Sequence, residues 1–417
     1  MRANKDIKVA FLGHVAPFMP EFYEMPGYGR PGSFAQLGII EALYNSGLGL
    51  DVAWGFRPIS HWPKARVLVE GRRRCVLDCG AKLVLLPLIN LHLIREFSRY
   101  VIIAWILMAW SFRRIGYKRV LVIYNLTHPN GLVWLRLMTW LARIKLVPVV
   151  YDLARISAYK KSFAFRVLEP DWLDRLHEHM MPLCDGLMPI TDAIAHDFAP
   201  GLQYFRLDGG VGEAVLKRLA ISIKRNKAEN CKNRPSGEFR LAYAGSLDPW
   251  NNITLLLEYM KANNDPSLRL LLAGSGLQEG EVRDAASKDT RIQFMGYLGS
   301  DALMDFYLNA DVLVSLRDLH TSGLKYHYPS KTFEMMAAGK PIILTNTSHT
   351  KNAYGKYCKV IDNCDMESFS SAVDYFRCMT SEERISYGQA ARAFVLEKRR
   401  WAKLGEPIGN YIRMIMS

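Results

Sequence analysis

The sequence predicts an α/β protein built as two doubly wound parallel-sheet domains. Three observations predict it. Short apolar runs alternate with helical patterns along most of the chain, as strand–helix–strand units require. At 417 residues the chain is too long for one ordinary core. The stretch Tyr328 to Thr345 holds a complete unit: a capped helix, a Gly339–Pro341 stop and a short apolar strand.

Ile7 to Gly13 reads as the first parallel strand. A loop with Gly27, Gly29, Arg30 and Gly32 follows, and then a helix from about Ser33 to Asn45. Strand, glycine-rich loop and helix bring backbone close to a ligand, although this loop is too long for a dinucleotide fingerprint. A plain surface loop is the alternative. Leu50–Trp54, Lys82–Leu88 and Val120–Tyr124 read as further strands, with Pro58–Arg74 irregular and basic and a long apolar helix before the last strand. His128 follows the strand ending at Tyr124, and Asp152 follows Val147–Tyr151. Both stand where α/β sheets gather ligands. A histidine there holds a sugar hydroxyl, moves a proton or serves as a cap. Asp171–Leu183 is amphipathic, Gly186–Ile190 is a strand, and Thr191 or Asp192 caps the next helix.

The first domain is expected over residues 1–215, with a basic interdomain segment over 216–238. The second, 239–399, alternates strand and helix: helices at Asn252–Asn263, Glu279–Ser287 and Asp301–Asn309 lead to the 328–345 unit. Trp401 to Ser417 is a last helix.

Composition narrows the function. Seven cysteines show no paired spacing, so reduced cytosolic thiols are the simpler account. Residues 1–6 lead straight into a strand, and no signal peptide is expected. The net charge of +14 calls for an anionic partner. Nucleic acid is disfavoured, because the basic residues are scattered and not interleaved with aromatics. An anionic membrane surface fits better: Tyr100–Phe112 is strongly apolar, carries Trp105 and Trp110, and is bounded by arginines, yet is too short to span. A helix buried on a parallel sheet is the other reading, and the two readings can hold for different faces.

The 328–345 unit carries the clearest chemistry. Ser330 is placed to cap the helix, whose N-terminus suits a phosphate. Lys331 opposes the helix dipole in the first turn, a conflict that a bound diphosphate removes. Glu334 lies three residues on, on the same face, where it can hold ribose hydroxyls. An ordinary surface ion pair is the plain alternative.

Pro329-Ser-Lys-Thr-Phe-Glu334, followed by Met336-Ala-Ala-Gly-Lys-Pro-Ile342, resembles the donor-binding helix of GT-B glycosyltransferases of the family-4-like group. Leu241-Ala-Tyr-Ala-Gly-Ser-Leu247, Leu270-Leu-Leu-Ala-Gly-Ser-Gly276, Ile292-Gln-Phe-Met-Gly-Tyr-Leu298 and Ala310-Asp-Val-Leu-Val-Ser-Leu316 come in that family's order. The resemblance runs from about Phe239 to Ile361 and is weak before that. It implies two Rossmann-like domains facing a cleft, with the last helix (about 400–417) crossing back onto the first domain.

It also implies transfer of a hexosyl group from a nucleotide diphosphate sugar, with retention and without a metal or other cofactor. The acceptor would be a growing, lipid-linked glycan at the inner face of the cytoplasmic membrane. The resemblance places the donor against Gly245, Ser246, Tyr297, Arg317, Gly323, Lys325, Ser330, Lys331, Thr332 and Glu334. It places the acceptor near Gly27, Gly29, Arg30, His128 and Asp152, with His128 and Glu334 in catalytic roles. The pattern breaks at three positions. Ser246 and Asn251 stand where the family has Arg and Lys, and Tyr326 where it has a first Glu. Arg317, Lys325 and Lys331 are the remaining sources of charge. The breaks leave retention and inversion both open, and keep two alternatives alive: a catalytically weakened binding or scaffold protein, and an epimerase on the same fold.

Overall fold

The computed structural model describes residues 7–15, 17, 31–60, 62–63, 66–124, 129–153, 179–229, 237–320, 323–329 and 331–417. The chain divides into two compact units, Met1–Gly209 with Trp401–Ser417, and Gly210–Arg400.

In chain order the first unit contains β1 (Ile7–Gly13), α1 (Pro31–Tyr44), β2 (Leu50–Gly55), β3 (Val69–Glu70), β4 (Arg73–Val76), β5 (Lys82–Leu85) and β6 (Leu88–Ile89). It continues with α2 (His92–Arg113), β7 (Lys118–Tyr124), α3 (Pro129–Leu141), β8 (Lys145–Val150), β9 (Met188–Pro189) and α4 (Asp192–Phe198). Its main sheet runs β4-β5-β2-β1-β7-β8-β9, with only β4 antiparallel. The inner strands are apolar on both faces, as a sheet covered on two sides requires.

Two expectations need correction here. The end of the segment expected to be irregular, Pro58–Arg74, enters two strands, and β4 closes the sheet edge against β5. Its arginines mask the strand in the sequence while suiting an exposed edge. The strand expected over Lys82–Leu88 is split at Pro87, which has no N–H to give a ladder.

Helix α2 has two characters. Ile103, Leu107 and Trp110 are buried, whereas Phe97 and Trp105 are 70% and 73% exposed. Trp110 donates to Asp51 at 2.7 Å, and Arg114 grips the same carboxylate at 2.6 and 2.8 Å. Burial alone would raise the Asp51 pKa; these hydrogen bonds outweigh it and hold the carboxyl below its ordinary value. The C-terminal helix, Trp401–Met416, packs on α1. Gly409 permits the approach: a Cβ there would stand 2.2 Å from the Ser46 carbonyl oxygen.

The second unit opens with α5 (Glu213–Glu229), which takes in residues 216–229 of the basic segment. It continues with β10 (Phe239–Ser246), α6 (Ile253–Ala262), β11 (Leu268–Ser275), α7 (Glu279–Lys288), β12 (Ile292–Phe294), α8 (Ser300–Leu308) and β13 (Val312–Ser315). Then come α9 (Thr332–Ala337), β14 (Ile342–Thr345), α10 (Thr350–Tyr354), β15 (Lys359–Ile361), α11 (Met366–Arg377) and α12 (Ser381–Lys398). The sheet is fully parallel in the order β12-β11-β10-β13-β14-β15. The order reverses between β10 and β13, and the crevice at the carboxyl ends there is the ligand position of such sheets.

Candidate functional site

Three chain segments meet at this reversal. The first is the end of β10. Tyr243 donates its hydroxyl to the Ser246 carbonyl at 2.7 Å, and Asn251, in the turn that follows, donates to the same oxygen at 2.8 Å. The Ser246 hydroxyl bonds the Asp248 carboxylate, whose other oxygen accepts the Leu277 amide at 3.0 Å. The turn presses against the neighbouring strand: a Cβ on Gly274 would stand 1.7 Å from the Gly245 carbonyl oxygen, and Gly274 has φ +138°. Only glycine meets both demands.

The second segment leaves β13. The Arg317 amide donates to the Thr345 hydroxyl at 3.0 Å, and its guanidinium donates to the Asn251 side-chain oxygen. Asn251 is 4% exposed and is bonded through both ends of its amide, so it fixes the guanidinium beside Ser246. One of the two positions where the sequence lacks the expected charges, Asn251, thus positions Arg317, and the other, Ser246, holds Asn251 through its backbone carbonyl.

The third segment is α9. The helix starts at Thr332, with Lys331 in the capping position and no side-chain cap, where the sequence suggested a start at Ser330. Thr332 is buried and bonds the Pro329 carbonyl through both its amide and its hydroxyl, at 3.0 and 2.7 Å. Tyr328 stacks on His349 at 4.8 Å, and Arg399 lies over Phe333 at 5.4 Å, which fixes the entry to the helix from both sides.

The electrostatics are unusual for a surface pair. Lys331 keeps contact with solvent, but the protein around it removes enough water to lower its ammonium pKa. Glu334 partly offsets this, and Arg317 adds to it as a second cation. Glu334 is half-buried, and burial raises its pKa against the opposing pull of Lys331 and Arg218. Burial likewise lowers the Arg317 pKa. A half-buried guanidinium and an exposed ammonium that disfavour each other, at the open end of a parallel sheet, form a place for a polyanion.

Of the donor-side residues read from the sequence, Gly245, Ser246, Arg317, Lys331, Thr332 and Glu334 gather at this end of the sheet. Gly323 has φ +80° and opens a short turn over Leu324–Tyr326. Lys325 in that turn lies over the Tyr326 ring, 4.9 Å from its centroid. Tyr297 is 66% exposed, beyond β12. Asp152 is exposed just past β8. Gly27, Gly29, Arg30, His128 and Ser330 lie outside the described residues.

Sequence reasoning missed two participants. Asn251 figured there as a lost lysine, whereas it anchors Arg317. Tyr307, on α8, is buried with its hydroxyl unpartnered among the described residues, and burial followed by the nearby Glu334 charge raises its pKa. Its apolar helical spacing looks like plain core, so no sequence signal marked it.

Residues 224–394 match the family model described as glycosyl transferases group 1. Among solved structures, HepE of Anabaena in complex with UDP is similar at TM-score 0.64 and 12% identity, over 98% of this chain and 100% of that one. Its complex with UDP-glucose is similar at TM-score 0.61 and 12% identity, over 98% and 99%. Sucrose-phosphate synthase from Thermosynechococcus elongatus reaches TM-score 0.64 at 14% identity, over 98% and 99%. The α,α-trehalose 6-phosphate synthase of Burkholderia multivorans reaches 0.65 at 13% identity, over 99% and 97%. A search of curated proteins finds no match.

Proposed function

We propose, for a chain with the GT-B glycosyltransferase fold and a group 1 glycosyltransferase domain over residues 224–394, that it transfers a hexosyl group from a uridine diphosphate sugar to a growing lipid-linked glycan. The observation that carries this reading is the placement of Arg317 by Asn251 beside Lys331. Bond cleavage at the anomeric carbon leaves negative charge on the diphosphate, and cations placed beside it stabilise that charge as it develops. Arg317 and Lys331 take this role, so the reading needs no metal. Glu334 holds the ribose hydroxyls. A protein that had lost the nucleotide altogether would gain nothing from keeping two mutually unfavourable cations at this spot. The bound UDP and UDP-glucose of the HepE complexes support the choice of nucleotide.

Retention of the donor's anomeric configuration and a proton-handling role for His128 belong to the same reading, with the acceptor near Gly27, Gly29, Arg30 and Asp152. So does peripheral attachment to the cytoplasmic face of an anionic membrane. Its supports are the +14 charge and the exposed side of α2. Among the described residues no helix is long and apolar enough to cross a membrane.

Calorimetry with UDP, uridine and a panel of UDP-sugars tests the reading. UDP should bind at least 100-fold more tightly than uridine, roughly the value of two charge-assisted contacts, and the difference should shrink as salt rises. Equal binding of UDP and uridine would remove the diphosphate site. Mass spectrometry of donor turnover then separates transfer from binding alone.

A further inference from the structure

The exposed side of α2 is one half of a larger surface. Ile94, Phe97, Val101, Trp105 and Phe112 follow one face of α2, all between 47% and 73% exposed. Helix α3 packs beside it and presents Val133, Leu137, Trp140 and Leu141, between 39% and 66% exposed. Steps of three, four and, from Trp105 to Phe112, seven residues keep each set on one side of its helix. Glu96 is the one carboxylate in the sequence of either helix. An apolar face of this size that carries two exposed tryptophans is not surface a protein leaves in water without use.

At the carboxyl ends of the two helices the surface opens into a cavity of about 310 Å³, lined among others by Met108, Phe112, Ile115, Leu141, Arg119 and Arg143. No acidic side chain lines it. Ser111 ties the helix ends together by donating to the Ala142 carbonyl at 2.8 Å. Arg119 donates through Nη1 to the Ser111 carbonyl at 2.7 Å, while its Nε is buried and unpartnered among the described residues. Arg143 is exposed, sits at φ +53°, and forms no ion pair among the described residues. The Arg143 charge is unfavourable to Arg119, and among the described residues no acidic side chain in the cavity lining balances it.

We propose that this cavity binds the phosphate headgroup of an anionic membrane phospholipid, with the acyl chains lying along the α2–α3 face. The phosphate supplies the countercharge that the cavity lining does not give to either guanidinium. The site rests on the membrane reading above and deepens it. It gives the attachment a fixed point on the protein, whereas a general positive field does not.

The test measures partition of the full chain onto sucrose-loaded vesicles of pure phosphatidylcholine and of phosphatidylcholine with phosphatidylglycerol. Arg143→Gln and Ile115→Glu alter the cavity at exposed positions and leave the core untouched. Arg113→Gln removes a neighbouring exposed arginine that does not line the cavity. A general field predicts about a fivefold loss for any one arginine, equivalent to about 1 kcal/mol. The site predicts tenfold or greater loss on phosphatidylglycerol vesicles for both cavity variants, with Arg113→Gln at about fivefold or less. Equal losses for Arg143→Gln and Arg113→Gln would overturn the site and leave the membrane reading standing. No partition of the unaltered chain onto either vesicle would overturn both.

Discussion

Replacing Arg317 by Gln separates a charge kept for a ligand from a charge kept for the fold. The guanidinium donates to Asn251, and burial lowers its pKa. Lys331 is a second cation in its field. Without ligand, therefore, Arg317 is held at an energetic cost, and its removal relieves desolvation and repulsion. Against this stands the Asn251 oxygen, which the shorter glutamine amide can still approach; an orphaned acceptor costs about 1–3 kcal/mol. The two effects oppose, so stability should change by no more than about 1 kcal/mol by denaturant titration. Affinity should behave differently. Loss of one charge-assisted contact to a phosphate is worth about 1.5–3 kcal/mol, and at 1.4 kcal/mol per decade UDP should bind roughly 10- to 150-fold more weakly. Uridine affinity should not move. Calorimetry with both ligands on a variant of unchanged melting temperature is the assay. Unaltered UDP affinity would refute the reasoning, and so would a large stability loss, since the arginine would then be structural.

Glu334→Gln should weaken UDP binding by about 1.5–3 kcal/mol through the ribose contacts while stabilising the unliganded protein at neutral pH. The sign follows from the raised folded-state pKa. In the window above the ordinary 4.5 the folded form holds the proton more tightly, so the wild type loses stability as pH rises through the shifted value. The Gln variant should lack that loss in melting curves taken across the window, and parallel curves for the two proteins would remove the claim. Gly274→Ala should cost about 3 kcal/mol or more, because it combines a disfavoured backbone conformation with a backbone clash against Gly245. An unfolding midpoint near wild type would show that the packing of β10 on β11 at Gly245 is looser than described.

Much of the second unit was legible in the sequence. Leu241–Leu247 and Leu270–Gly276 pair in register as parallel strands because continuous apolar runs ending in Gly-Ser can be buried on both faces and still open at a loop. The capping signal at Ser330 located the start of α9 to within two residues, and the glycine–proline stop marked its end. The split of Lys82–Leu88 could also have been read, since Pro87 announces it. The edge strand β4 could not, because Arg73 and Arg74 look like loop until β5 supplies a partner.

The sequence by itself determined the alternation of strands and helices, and put Lys331 and Glu334 within one helical turn of each other, because both depend on neighbours within one or two helical turns. Only the tertiary structure decided what Asn251 is for. It meets Arg317 across 66 positions because β10 and β13 are neighbours at the reversal of the sheet, and no local pattern encodes that pairing. The same holds for α2. Its apolar residues surround the helix in the sequence, and packing alone chose Ile103, Leu107 and Trp110 for the core and left Phe97 and Trp105 facing outward. A hydrophobic side chain carries the same transfer free energy whichever surface covers it, so composition cannot say which face meets the protein.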